Sequence, residues 1–152
     1  MSLIIKLLHY LWASPNTVVG LTVGLFGLLT GGKMQVIRGA VEFHGGGVRW
    51  LLRHSFLGES TMAMTVGHTI LGQTESSLAI SRDHEHVHVR QYEIWGPFFV
   101  PAYGLSSLYL CCVKRDPYRD NPFEVEAYSL ADPSNLEEMN DELDSGNSDD
   151  SQ

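Results

Sequence analysis

Residues 84–88 read His84-Glu85-His86-Val87-His88, an H-E-x-x-H pattern whose residue types and spacing suit a divalent metal. On a helix, positions i and i+4 lie one turn apart on one face, so His84 and His88 can turn two imidazoles toward a single Zn2+. Glu85, about 100° further round the helix, can reach a water at that ion as a general base. His86 stands two residues from each of these histidines and faces away. Tyr92 is four residues after His88 and returns to the ligand face, where it either lines a pocket or packs, packing being the more ordinary role. A solvated His-rich helix face is the bland alternative, and the spacing favours zinc over it.

A catalytic zinc site takes three protein ligands and keeps a fourth position open. Downstream, Asp120-Asn121-Pro122-Phe123-Glu124-Val125-Glu126-Ala127-Tyr128 offers two carboxylates. Asn121 suits a helix cap and Pro122 a first helical turn. Glu124 and Glu126 face about 200° apart on a helix, so only one of them can point at the metal.

An H-E-x-x-H helix followed by a helix bearing Asn121-x-x-Glu124-x-x-Ala127 resembles the gluzincin branch of zinc metallopeptidases, and distantly the CAAX-prenyl-protease-type enzymes. The resemblance spans roughly residues 62–128. It implies Zn2+ as cofactor, with His84, His88 and Glu124 as ligands and Glu126 as the weaker alternative. It further implies Glu85 as catalytic residue and a peptide or protein substrate, cleaved through a metal-activated water. Those enzymes carry an Asp after the Ala, supporting a ligand from behind; here Tyr128 stands in its place. Tyr128 could instead hydrogen-bond a tetrahedral intermediate. In such enzymes an edge strand ahead of the motif helix often pairs with an extended substrate, and Ala63–Leu71 is the candidate here.

The elements that must position these groups can be read from the pattern around them. Leu78 to Trp95 contains no Gly or Pro, so a helix is expected there, with Ser76, Ser77 and Ser81 as candidate caps and Gly96-Pro97 as its stop. Ile37, Gly39, Val41 and Phe43 alternate with Arg38 and Glu42, as in a half-buried strand, and Gly45-Gly46-Gly47 reads as a turn. Met62, Met64, Val66 and Ile70 repeat the alternation, with His68 read as a packed or hydrogen-bonded residue. From Ile94 to Val113 no residue is charged. A single crossing of a bilayer by this run would separate Glu124 from His84 and His88. The zinc reading therefore requires Phe98–Val113 to return as a buried helix beside the motif helix.

The N-terminal run carries no charged residue between Leu7 and Gly32. Pro15 is expected to divide it into Leu3–Ala13 and Thr17–Thr30, each shorter than the ~20 residues a spanning helix needs. Gly20-x-x-x-Gly24 and Gly27-x-x-x-Gly31 have the small-xxx-small spacing of close helix contacts. An apolar helical hairpin, buried or resting on a membrane surface, is the expectation for residues 1–32.

The expected fold is thus α+β: a small zincin-like domain over 33–131 with a short antiparallel sheet, the H-E-x-x-H helix and a second glutamate-bearing helix. Of 10 Lys+Arg and 18 Asp+Glu, all ten cations and ten acids precede residue 131, so the net −8 belongs to the last 22 residues. Asp132–Gln152 is acidic and Ser/Asn-rich and reads as a disordered tail. A neutral body without a basic cluster offers nucleic acid no purchase. Cys111 and Cys112 are adjacent, make no disulfide framework and read as buried apolar residues, with a reducing, intracellular compartment as the mild implication. Two other function classes use the same residues: a zinc-holding module without catalysis, and a small membrane-anchored interaction protein with Ile94–Val113 as its span.

Overall fold

The structure, a computed structural model, describes residues 3–55 and 61–131. The acidic tail expected over 132–152 lies outside these residues. The fold is α+β, with helix α1 (Leu3–Leu29), strands β1 (Lys33–Ile37) and β2 (Ala40–His44), helix α2 (Gly46–His54), and strands β3 (Ala63–Val66) and β4 (Thr69–Gly72). Helix α3 (Glu75–Trp95), a 3-10 turn (Gly96–Phe98), α4 (Phe99–Cys112) and α5 (Pro122–Ala131) complete it.

The sheet runs in the order β1-β2-β4-β3. It is mixed and not purely antiparallel as expected: β2 pairs with β4 in parallel, and the β1–β2 and β3–β4 pairs are antiparallel hairpins. The parallel pair arises because α2 and β3 carry the chain across between β2 and β4. The Ala63–Leu71 run is two strands, since Gly67, at φ +65, and His68 fold it into a hairpin. The three glycines at 45–47 lead into α2, where only a strand-and-turn pattern was expected.

Period-two alternation sorts the strand residues between the sheet's two faces. Ala40 and Ile70 cluster with Leu78 and Val89 of α3. Phe43 and Leu71 cluster with Val48 and Leu52 of α2 and with Leu21 and Leu28 of α1. Helices α1 and α2 therefore cover one face and α3 the other. Glu42, fully buried on the α3 side, accepts from Arg82 of α3 and Gln35 of β1, so its charge is paired inside the fold.

The expected N-terminal hairpin is a single 27-residue helix running through Pro15. A proline in a helix interior leaves the carbonyl four residues earlier without its N–H partner. Here that carbonyl is Leu11, and the Ser14 hydroxyl donates to it at 2.7 Å. On either side of the proline, Trp12 Nε1 donates to the Ile94 carbonyl at 3.2 Å and Asn16 Nδ2 to the Gly96 carbonyl at 3.1 Å. These bonds tie the weak turn of α1 to the end of α3. The small-xxx-small glycines meet the sheet at Gly20 and Gly24 and helix α2 at Gly27, where a Cβ would come within 2.5 Å of Val48. A Cβ at Gly20 would come within 2.7 Å of Thr69 Cβ and the Val66 carbonyl, and one at Gly24 would run into the Phe43 ring.

The uncharged run Ile94–Val113 is no single helix. It divides into the end of α3, the 3-10 turn and the 14-residue α4, which is too short to span a bilayer. Helix α4 is also not the buried helix expected: Leu105, Leu108 and Tyr109 are all exposed, as are Cys111 and Cys112. Among the described residues, one helix segment, Leu7–Leu29, is long and apolar enough to cross a membrane.

Because Phe43 fills the space a side chain at position 24 would need, Gly24→Val should destabilise the fold by about 1–3 kcal/mol, the usual cost of overpacking. Leu25→Ala, at a position 56% exposed, should change the melting temperature little. Thermal unfolding of the two variants checks this, and equal melting temperatures would contradict the packing of α1 on the sheet.

Candidate metal centre

Helix α3 begins at a Thr74 cap, whose hydroxyl accepts from the Ser77 N–H at 3.0 Å. The expected caps Ser76, Ser77 and Ser81 all lie inside the helix. Its inner face carries the buried Glu85, His88 and Tyr92, with His84 one turn before His88 and partly buried. Helix α5 is held in register by Asn121, which is fully buried. The Asn121 side-chain oxygen accepts from the Phe123 N–H at 3.1 Å, and its amide nitrogen donates to Ser107 Oγ at 2.8 Å and to the Tyr103 carbonyl at 3.2 Å. The cap read from the sequence thus also fastens α5 to α4.

This arrangement turns Glu124 toward the two histidines. His84 Nε2 lies 3.2 Å from Glu124 Oε2, His88 Nε2 lies 3.4 Å from Glu124 Oε1, and the two imidazole nitrogens are 3.1 Å apart. One ligand atom from each of the three residues falls within 4.8 Å of the others. Two ring nitrogens and a carboxylate, converging where little water reaches, repel unless a proton or a metal cation sits among them. Glu124 Oε2 is buried, and among the described residues only His84 Nε2, at 3.2 Å, reaches it. An acceptor so sparsely served fits a cation, and imidazole with carboxylate is a donor set suited to Zn2+.

Gln91 fixes how His88 is presented. Its amide nitrogen donates to the Phe123 carbonyl at 3.0 Å and to Glu126 Oε2 at 2.8 Å, which uses both amide hydrogens. The amide oxygen therefore faces His88 Nδ1, at 2.8 Å, and must accept from it. With the proton held on Nδ1, the Nε2 lone pair of the neutral ring is free for a metal. The same network shows what Glu126 does: it anchors Gln91 and stands outside the His84–His88–Glu124 cluster.

Tyr103 Oη donates to Glu124 Oε1 at 2.8 Å, so the carboxylate is braced from α4 as well. Tyr128 lies with its ring 4.5 Å from that of His84, and its hydroxyl is 3.3 Å from that of Tyr118. At the position where the resembled enzymes have Asp, this chain has a ring packed on His84. His84 Nδ1 is buried with no acceptor among the described residues. Tyr92 takes the packing role, joining Ala13, Phe99 and Phe123 in a core cluster.

Glu85 sits beside the cluster on its own support. Thr65 of β3, on the strand face turned to α3, lies 2.6 Å from Glu85 Oε2 and 3.1 Å from the Glu85 carbonyl. Burial raises the Glu85 pKa, and the histidines and the Thr65 hydroxyl only partly offset it. Burial acts upward on Glu124 too, but hydrogen bonds from His84, His88 and Tyr103 outweigh it and bring the carboxyl down to about 2. Burial disfavours a charged His88, yet Glu124, Glu85 and Gln91 together raise its pKa above the ordinary value.

Other histidines are elsewhere. His68, at the β3–β4 turn, is buried between Glu93 Oε1 at 3.2 Å and Thr17 Oγ1 at 3.4 Å, the packed role expected of it. His86 is outside the cluster, its Nε2 buried without a partner among the described residues. Lys33, His44, Arg49 and Glu75 line a shallow cleft that contains none of the cluster residues. Comparison with protein-family models, curated sequences and solved structures finds no match for this chain.

Purified protein should bind about one zinc per chain; His84→Ala or Glu124→Ala should lose it, and Glu126→Ala should keep it with weakened affinity. Metal analysis after dialysis reads this, and full occupancy in Glu124→Ala would refute the ligand set. Glu124, with its pKa lowered from 4.5, stabilises the metal-free fold above 4.5 and loses that contribution as pH falls toward about 2. His88, with its pKa raised from 6.5, contributes fully below 6.5 and loses its contribution as pH rises through the raised value. Zinc uptake near pH 7 should therefore release protons and remove the alkaline loss of stability. Calorimetric titration in buffers of different ionisation enthalpy measures the protons, and zero release would contradict the protonated pair.

Proposed function

We propose that this chain is a zinc-dependent metallopeptidase. The reading is carried by one observation: the Glu124 carboxylate meets His84 and His88 at 3.2 and 3.4 Å, next to the buried carboxyl of Glu85. His84 Nε2, His88 Nε2 and Glu124 would hold the metal, and bound zinc would supply Lewis acidity toward water and a peptide carbonyl.

The chain's own residues do the rest. Glu85 has a pKa raised by burial, which moves a carboxyl toward the range where it can both accept and return a proton at neutral pH. In hydrolysis Glu85 Oε takes the proton of the attacking water and later delivers it to the leaving amine. Thr65 holds that carboxyl in place, Gln91 holds His88, and Tyr103 holds Glu124. Strand β3 has a strand neighbour on one side only among the described residues. Its other backbone edge suits pairing with an extended peptide, and Thr65 sets that strand directly beside Glu85. The resemblance to gluzincins in His84–His88 and Asn121–Ala127 supports the same assignment.

A zinc-holding module without catalysis competes with this reading. It is favoured by the lack of an acceptor for His84 Nδ1 among the described residues, with Tyr128 packing on that ring in place of a carboxylate. Glu85→Gln separates the two. On the catalytic reading the variant keeps its zinc, and cleavage of a peptide library falls at least about 100-fold. Full peptidase activity in zinc-loaded Glu85→Gln would sink the mechanism, and zinc-loaded wild type that cleaves no peptide would leave the module.

A further inference from the structure

Two helices of this protein expose apolar faces that nothing in the described structure covers. Along α1, Ala13, Gly20 and Gly24 turn inward against the protein body. The outward ridge is bulky: Leu11, Val18, Leu25 and Leu29 are 71, 61, 56 and 87% exposed. Helix α4 is apolar all round, a composition that belongs to a protein core or to lipid. Yet it buries only Phe99 and Leu110, with Leu105 and Leu108 66 and 61% exposed. The two faces meet where the exposed rings of Trp12 of α1 and Phe98 lie 6.0 Å apart, tilted at 49°. Together they exceed the scattered apolar residues a soluble surface tolerates.

We infer that the outer faces of α1 and α4 dock in the plane of an anionic phospholipid bilayer. Charge complementarity selects that occupant. Residues 3–55 contain five cations (Lys6, Lys33, Arg38, Arg49 and Arg53) and one acid, Glu42. Glu42 is fully buried and paired with Arg82, and Arg38 is paired with Asp83, so Lys33, Arg49 and Arg53 remain exposed to meet headgroups, with Glu75 sharing a cleft with Lys33 and Arg49. Helix α2, which packs on α1, turns Arg49, Arg53 and the 60% exposed Trp50 outward, the mixture of cations and an indole that settles at a headgroup boundary. At the end of α4, Arg115 is paired with Asp120 at 2.9 Å, and Lys114 and Arg119 stand against Asp116.

Other occupants fit less well. The acidic segment 132–152 has only Leu136, Met139 and Leu143 of any bulk, too little to cover two helix faces. For a second copy, the small residues Gly20, Gly24 and Gly27 that let helices approach closely are already spent against the sheet and α2, and the outward ridge of α1 is large and branched. Crossing the bilayer is excluded for α1, because the sheet and α2 pack along it and would carry Arg38, Arg49 and Asp83 into hydrocarbon. The helix therefore lies along the membrane. This inference does not rest on the peptidase reading.

The test is flotation of the full-length, zinc-loaded protein with phosphatidylcholine vesicles, with and without phosphatidylglycerol. The protein should float with both, and more tightly with the anionic vesicles at low salt. Arg49→Gln and Arg53→Gln should each weaken anionic binding by about fivefold. Leu11→Asp with Leu105→Asp should abolish flotation while keeping the wild-type thermal unfolding transition by circular dichroism, which shows that the variant folds. Should that variant unfold, Leu25→Asp with Leu108→Asp serves as the second pair. Tryptophan emission should be quenched more by lipids brominated near the headgroup than by those brominated near the chain end. No flotation, unchanged flotation in a folded Asp pair, the reverse quenching order, or a discrete dimer in lipid-free buffer whose dissociation requires those Asp substitutions would each overturn it.

Discussion

A carboxylate wedged between two imidazoles is the constraint on which this structure depends. Glu124 is withdrawn from water, and its charge is tolerable only because His84, His88 and Tyr103 surround it. Removing one partner of a buried charged pair typically costs about 3–5 kcal/mol, so the junction of α3 with α5 is tight only while the cluster holds a proton or a metal. The same requirement explains the neighbouring network. Gln91 reaches from α3 to the Phe123 carbonyl and to Glu126, and Asn121 reaches from α5 to α4. These bonds keep the two helices from sliding, which would separate Glu124 from the two histidines.

The site was largely legible in the sequence because its signals are local. His84 and His88 are one helical turn apart, and the Asn121-Pro122 start announces the helix that carries Glu124. Glu85 was readable for the same reason. Gln91 could have been found, since it is three residues from His88 and so on a neighbouring face of the same helix. Thr65 was half-legible: the alternation of Met64 and Val66 puts it on the opposite face of its strand, but only the packing of that face on α3 brings it to Glu85. Tyr103 left no signal, because its approach to Glu124 depends on the turn at Gly96–Phe98 and on where α4 then points.

The fold was less legible where tertiary partners override local preference. Pro15 ought to end a helix, and the Ser14 hydroxyl with the Trp12 and Asn16 side chains keeps it going. Three successive glycines suggest a turn, yet they admit α2 close against α1, where Gly47 donates its N–H to Thr30 Oγ1 at 2.6 Å. The parallel pairing of β2 with β4 has no local code at all. The apolar run after Trp95 illustrates the opposite limit: composition marks it as uncharged, but neither burial nor exposure of α4 follows from composition alone. Its exposure beside α1 gives the molecule an apolar side, while His84, His88 and Glu124 are gathered between α3 and α5.

The central claim is that His84, His88 and Glu124 form one metal centre. X-ray absorption at the zinc edge of the loaded, full-length protein tests it most directly. A shell of light atoms at about 2.0–2.1 Å with the outer-shell scattering of two imidazoles is expected. Sulfur scattering, which would implicate Cys111 or Cys112, or a shell without imidazole, would contradict it.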